Sequence, residues 1–172
     1  MLEGYLQRKA AWEILLKVSS GIYSDVAFDR VLSNYNFTPL DVAFITELSF
    51  GCIRYRKLLD HWIDHTSKLK HNKQPPKLRW LLHIGIYQIL RMDKIPDSAC
   101  ISTTVEIAKK TDLNKLSGVV NAILRNVTRK LKSNNLPELP TNEAERISLK
   151  ESLPLWLVNE MIDWFGICET KK

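Results

Sequence analysis

The run WLLHIGIYQIL, Trp80–Leu90, decides how the chain is read. Wound at 3.6 residues per turn it is apolar on nearly every side, and its two polar residues are His83 and Gln88. Its 11 residues are far fewer than the roughly 20 that a bilayer crossing requires. A helix that is apolar all round must be enclosed by other helices. Pro75-Pro76 start it and Met92 ends it, so it is expected to be the central helix of an all-α bundle.

The flanking sequence supplies the enclosing helices. Towards the N-terminus, Ala11, Leu15, Val18 and Ile22 share one helical face, and Gly21 is placed as a C-cap. Ser24 is placed to cap a short helix that carries Val26, Ala27, Val31 and Leu32. Thr38-Pro39 combines a capping hydroxyl with proline at the first helical position. From there Phe44, Leu48, Cys52, Tyr55, Leu59 and Trp62 keep one face for about seven turns, with Gly51 marking a kink or a close helix contact. Residues 67–74 (SKLKHNKQ) read as a basic loop. Beyond the central run, Pro96-Asp97-Ser98 break the chain and start a helix that continues through Val105 and Ala108 to about Lys110. Leu116, Val119, Val120, Ile123, Leu124, Val127 and Leu131 then form the cleanest amphipathic stripe, opposite Asn121, Arg125, Arg129 and Lys132. The expectation is six or seven helices around a core of Leu15, Val18, Phe44, Leu48, Leu59, Leu82, Ile86, Ile89, Val120, Ile123, Leu124 and Val127. Residues 132–151 read as a linker by composition, and residues 152–172, with Trp156 and Trp164, as the truncated start of a following segment.

Composition narrows the function. Among 172 residues there are 25 Lys plus Arg against 19 Asp plus Glu, a net charge of +6. The charge is uneven, with +7 on residues 51–95 and +4 on 96–132. Blocks of this kind attract phosphate backbones whatever the base sequence. The three cysteines, Cys52, Cys100 and Cys168, are too far apart for a zinc ribbon or a disulfide framework. The N-terminus has charges inside its apolar stretch and is not a secretory signal. A cytoplasmic protein with no membrane association is expected. No G-x-G-x-x-G, P-loop or G-x-S-x-G occurs. His61 and His65 have the i, i+4 spacing of a zinc site, but Trp62 stands where a metalloprotease has Glu and no third ligand is evident, so solvent-facing histidines are the reading. His83 reads as a core histidine and the cysteines as small core residues. No catalytic, cofactor-binding or metal residue is assigned. Basic residues interleaved with Tyr55, Trp62 and Trp80 suit single-stranded RNA, although Tyr55 and Trp62 share the core stripe and Trp80 is open between core and surface.

Five segments carry a resemblance: RKAAWEIL (Arg8–Leu15), ELSFGCIRYRKLLD (Glu47–Asp60), LLHIGIYQILRMDKIPDSA (Leu81–Ala99), TTVEIAKK (Thr103–Lys110) and VVNAILRN (Val119–Asn126). In order, they resemble the NusB-like domain over residues 5–130. More closely, they resemble its version at the N-terminus of the bacterial 16S ribosomal RNA cytosine-C5 methyltransferases of the Sun or Fmu family. The free-standing antitermination factor usually reads V-N-G-x-L-D where this chain has Val120-Asn121-Ala122-Ile123-Leu124-Arg125, and it lacks a tail like Ser152–Val158.

The resemblance implies a NusB-like helical bundle, residues 1–131, that binds RNA and helps place a catalytic domain on 16S ribosomal RNA. The parent enzyme would use S-adenosylmethionine, and its C-terminal methyltransferase domain would be the partner; dimerisation is left open. None of that machinery lies in these residues, so the chain is expected to be an inactive fragment. The RNA-contact candidates are Arg8, Lys9, Arg54, Arg56, Lys57, Lys73, Arg79, Arg125 and Arg129. Arg8 and Lys9 enter from the resemblance to the basic N-terminal helix of NusB-like domains, and the central cluster enters on charge density. A free-standing antitermination factor and a helical protein–protein adaptor with a merely solvated basic face are the alternatives.

Overall fold

Prolines and capping side chains place most of the helix starts. In the computed structural model, which describes residues 2–171, no strand occurs among the described residues. The chain forms α1 (Tyr5–Ser19), α2 (Ser24–Leu32), α3 (Pro39–Arg54), α4 (Arg56–Thr66), α5 (Pro76–Arg91), α6 (Asp97–Lys109), α7 (Ser117–Lys132), α8 (Glu143–Lys150) and α9 (Leu155–Thr170). Short 3₁₀ turns lie at His71–Lys73 and Asn114–Leu116. At α3 the Thr38 hydroxyl accepts from the Asp41 N–H at 3.2 Å while the Asp41 carboxylate accepts from the Thr38 N–H at 3.0 Å, a reciprocal cap with Pro39 as the first helical residue.

α5 is the centre, as the Trp80–Leu90 run requires. It packs on α1, α3, α4, α6 and α7, and every residue from Trp80 to Gln88 is buried. Glycines set two of these approaches. A Cβ at Gly85 would stand 2.6 Å from a methyl of Leu124 on α7, and one at Gly51 on α3 would overlap the Tyr87 ring on α5. Gly51 is therefore a close helix contact and not a kink. Of the expected core, Leu15, Leu48, Leu59, Leu82, Ile86, Val120, Ile123, Leu124 and Val127 are buried, and Val18, Phe44 and Ile89 pack half-buried against them. Trp80 joins the core, at 5% exposed.

Three features differ from the sequence reading. The helix expected from Pro39 through Trp62 is two helices, broken at Tyr55, whose backbone sits at φ −97°, ψ 21°. The apolar stripe runs through this break because both helices bury the same side against α5. Residues 132–151 contain α8, started by the Asn142 side chain accepting from the Glu145 N–H at 3.1 Å and packed on α4 through buried Ile147 and Ser148. With α9 formed in the tail as well, the described residues hold nine α-helices instead of six or seven.

Candidate nucleic-acid interface

The amphipathic pattern of α7 buries Val120, Ile123, Leu124 and Val127 against the bundle and thereby turns Arg125 and Arg129 outward. α6 packs alongside, and the two helices form the walls of a groove of about 1190 Å³. Lys109, Arg125, Arg129 and Lys132 line it, against Asp97 and Glu106. Both acids have cationic partners, Lys132 to Asp97 at 3.5 Å and Lys110 to Glu106 at 2.9 Å. The Lys110 amine and the neighbouring Lys109 hold the Glu106 carboxyl below its ordinary pKa. Arg125 Nε donates to Asn121 Oδ1 at 3.0 Å and Arg129 donates to Asn126 Oδ1 at 2.8 Å, contacts that orient the guanidinium groups without neutralising them. Neither arginine, nor Lys109, makes an ion pair among the described residues. The floor includes Ile101 and Val105, and the rim continues past Pro96 and Ala99 into a second groove beside α1 and α3. Exposed fixed cations over an apolar floor can hold a phosphate chain and cover the bases between phosphates.

The other candidates separate. Arg8 is 6% exposed: its Nε donates to Gln88 Oε1 at 2.6 Å, another N–H reaches the Gly4 carbonyl at 3.1 Å, and its guanidinium carbon lies 5.1 Å from the Phe44 ring centre. Burial lowers its pKa. Arg8 is thus a structural residue of the α1–α5 contact, which corrects its place among the surface candidates. Lys9 is half-exposed and pairs with Glu13 at 3.4 Å along α1. Lys73 is exposed on the 3₁₀ turn.

Arg54, Arg56, Lys57 and Arg79 lie around the break between α3 and α4, but only part of the cluster is free. Arg79 grips Asp60 with two parallel hydrogen bonds, one of them 2.7 Å from Nε to Oδ1. Lys57 donates to the Ser148 hydroxyl and, at 3.3 Å, to the Leu153 carbonyl, so it fastens the tail to α4. Arg54 and Arg56 remain exposed and make no ion pair among the described residues. The cavities lined by Arg56 and Arg79 include neither Arg125 nor Arg129. The structure therefore separates the α7 pair from the cluster around the α3–α4 break, and Arg8, Lys9 and Lys73 lie in neither.

Beneath Arg79, the fully buried His83 ring lies 2.9 Å from Asp60 Oδ1 through Nε2, and its Nδ1 has no partner. Burial pushes the Asp60 carboxyl up, but hydrogen bonds from His83 and Arg79 outweigh that and hold it at about 2. Burial lowers the His83 pKa, so the ring is neutral with its proton on Nε2. His83 is a core histidine in contact with the Trp80 ring edge. His65 is exposed, whereas His61 is half-buried and bonded to the Glu138 carbonyl at 3.0 Å, so only one of the pair faces solvent. Cys52 and Cys100 are buried and Cys168 is exposed. Burial lifts the Cys100 thiol to about 12, so it is inert as a nucleophile. Lys109 escaped the sequence reading because it follows the half-buried Val105 and the buried Ala108 as the last residue of α6; Lys132 was visible on the polar face of α7.

Residues 6–129 match the NusB family. The chain is 38% identical over 153 residues, 87% of its length, to the probable ribosomal RNA small subunit methyltransferase B of Synechocystis sp., where the match covers 33% of that protein. It is 32% identical to the ribosomal RNA small subunit methyltransferase B of Thermus thermophilus, covering 92% of this chain and 36% of that one. The Bacillus subtilis protein called probable ribosomal RNA small subunit methyltransferase B is 29% identical over 96% of this chain and 36% of its own length. The chain thus spans about a third of the curated relatives it matches. In shape it is similar to the crystal structure of PH0851, with a TM-score of 0.76 and 16% identity over 99% of this chain and 38% of that one. An all-helical bundle with a basic groove between α6 and α7, matched over residues 6–129, assigns it: the chain belongs to the NusB family.

Proposed function

We propose that this chain is the RNA-binding part of a 16S ribosomal RNA cytosine-C5 methyltransferase. In this reading residues 1–131 hold single-stranded ribosomal RNA, and residues 152–172 begin the segment that leads to a catalytic domain on the same polypeptide. The observation that carries it is the α6–α7 groove, where Arg125 and Arg129 are fixed, exposed and not neutralised. The names of the relatives, ribosomal RNA small subunit methyltransferases, and their roughly threefold greater length support the reaction class and a longer parent. α9 supports the second half: Trp156, Trp164 and Phe165 are 66%, 68% and 60% exposed on one helix, a surface of the kind that another domain covers.

The residues present do not fit S-adenosylmethionine. No strand leading through a glycine-rich loop into a helix occurs among the described residues, and burial pushes both buried thiols, Cys52 and Cys100, up from their ordinary range. In this reading methyl transfer belongs to the parent enzyme, and this part contributes affinity and position. Positioning is a catalytic contribution, because a bound target no longer has to be found by collision. The protein would work in the cytoplasm, where ribosomal RNA is modified.

The test is filter binding of the chain to single-stranded 16S fragments across a salt series. Binding that weakens steeply with salt is expected. No binding at low salt would leave the helical adaptor as the better reading. The free-standing antitermination alternative differs in having no methyltransferase sequence downstream.

A further inference from the structure

The cavity at the junction of α1, α3, α4 and α5 has no part in the groove described above. It has a volume of about 460 Å³, within the roughly 300–1,000 Å³ of ligand clefts. Ile53, Pro76 and Trp80 give it apolar walls, and its polar groups come from Ser19, Arg56, Asn72, Gln74, Arg79 and His71, whose Nδ1 lies 2.9 Å from the Asp64 carboxylate. The Asp60 carboxylate is taken by Arg79 and by His83. Arg56 is different. Its guanidinium carbon lies 5.5 Å from the centre of the Trp80 ring, and it makes no ion pair among the described residues. The Asn72 side chain has no hydrogen bond among the described residues. Gln74 is 7% exposed, with its amide nitrogen held by the Ser67 hydroxyl and the Leu69 carbonyl, both at 2.9 Å.

A guanidinium held against an aromatic ring presents its outer plane for stacking and its N–H edge for an anion. Apolar walls, a free stacking cation and an unspent amide at one opening match a nucleobase and its phosphate, and the volume admits a single residue but no duplex. We propose that this cavity receives one unstacked nucleotide of a single-stranded RNA, its base on Arg56 and its edge at Asn72. The inference rests on the RNA-binding reading and adds a second contact, away from the α6–α7 groove.

The test is a ¹H–¹⁵N titration of the whole chain with each nucleoside 5′-monophosphate and, separately, with inorganic phosphate. The Asn72 and Gln74 side-chain amide signals should shift with at least one nucleotide and stay in place with phosphate. Arg56→Ala should weaken that binding by about tenfold or more, as loss of a charged hydrogen-bonding group does. Asn72→Ala, at an exposed position, serves as the second variant should Arg56→Ala fail to fold, and should also weaken binding. No shift with any nucleotide, the same shift with phosphate alone, or unchanged binding by both variants would overturn the proposal. Filter binding of single-stranded RNA by the same proteins separates the two claims. RNA retained by a chain whose cavity is silent removes the cavity alone, whereas no RNA retained by the unaltered chain removes the functional reading.

Discussion

Arg8 shows how far a single charge can be from the role its type suggests. With its Nε on Gln88 and its guanidinium over the Phe44 ring, it satisfies a buried amide and joins α1 to α5. Replacing it with Ala would strand Gln88 Oε1 in the core, so Arg8→Ala should lose about 1–3 kcal/mol of stability in urea melts. It should leave the salt dependence of RNA binding where it was; a reduced slope in the folded variant would restore Arg8 to the site. His83 makes a pH-dependent contribution. Its folded pKa is depressed by burial, so the unfolded chain takes up a proton first as pH falls through about 6.5, and stability is lost below that pH. His61, also lowered by burial, adds in the same direction. The sign is opposite to that of a histidine stabilised by protonation. Urea melts at pH 7.5 and 5.5 should show the unaltered chain losing more stability than His83→Gln, whose amide can still donate to Asp60 but does not titrate. Equal losses would show that His83 is not the titrating group.

Among the helices, those defined by apolar spacing were readable and those defined by tertiary contacts were not. Trp80–Leu90 and, from Val119 on, the 116–131 stripe fall within α5 and α7 because burial on all sides, or on one, is written directly into the order of residues. The break at Tyr55 is not, since no glycine or proline marks RYRK and the apolar period continues across it. α8 carried a visible start, Asn142 with Glu145 three residues on, but its short polar sequence hid the two side chains it buries. The candidate site was legible in part: Arg125 and Arg129 follow from the pattern of α7, while the pairing of Lys57 with the tail depends on residues 91 positions away. That tail also completes α4, because the Ser152 hydroxyl accepts from the Leu58 N–H at 3.1 Å and caps a helix that has no side-chain cap of its own. Ser152→Ala should therefore cost roughly 0.5–2 kcal/mol, read in urea melts. No loss would show that solvent caps α4 equally well. At the α5 centre, Ile86→Ala should cost about 2–5 kcal/mol through lost burial and the cavity left behind. Gly85→Ala, whose Cβ meets Leu124, should cost about 1–3 kcal/mol.

At the scale of the whole molecule, a helical scaffold holds the unpaired Lys109, Arg125 and Arg129 along one groove, which is the proposed seat of the RNA. Charge alone pointed to residues 51–132 without choosing a face. The fold buries Arg8, pairs Arg79 with Asp60 and ties Lys57 to the tail, and it leaves two sets of unpaired arginines, Arg54 with Arg56 and Arg125 with Arg129, of which the second pair lines the α6–α7 groove. The most direct measurement is the salt dependence of affinity for a single-stranded 16S fragment, compared between the unaltered chain and the Arg125→Glu, Arg129→Glu double variant. Each phosphate contact on a single strand contributes about 0.7 to the slope of log affinity against log salt. Removing two such contacts should flatten the slope by about 1.4 and weaken binding at low salt, with the helical fold intact. An unchanged slope and affinity in the folded double variant would contradict the account and move the RNA away from the α6–α7 groove.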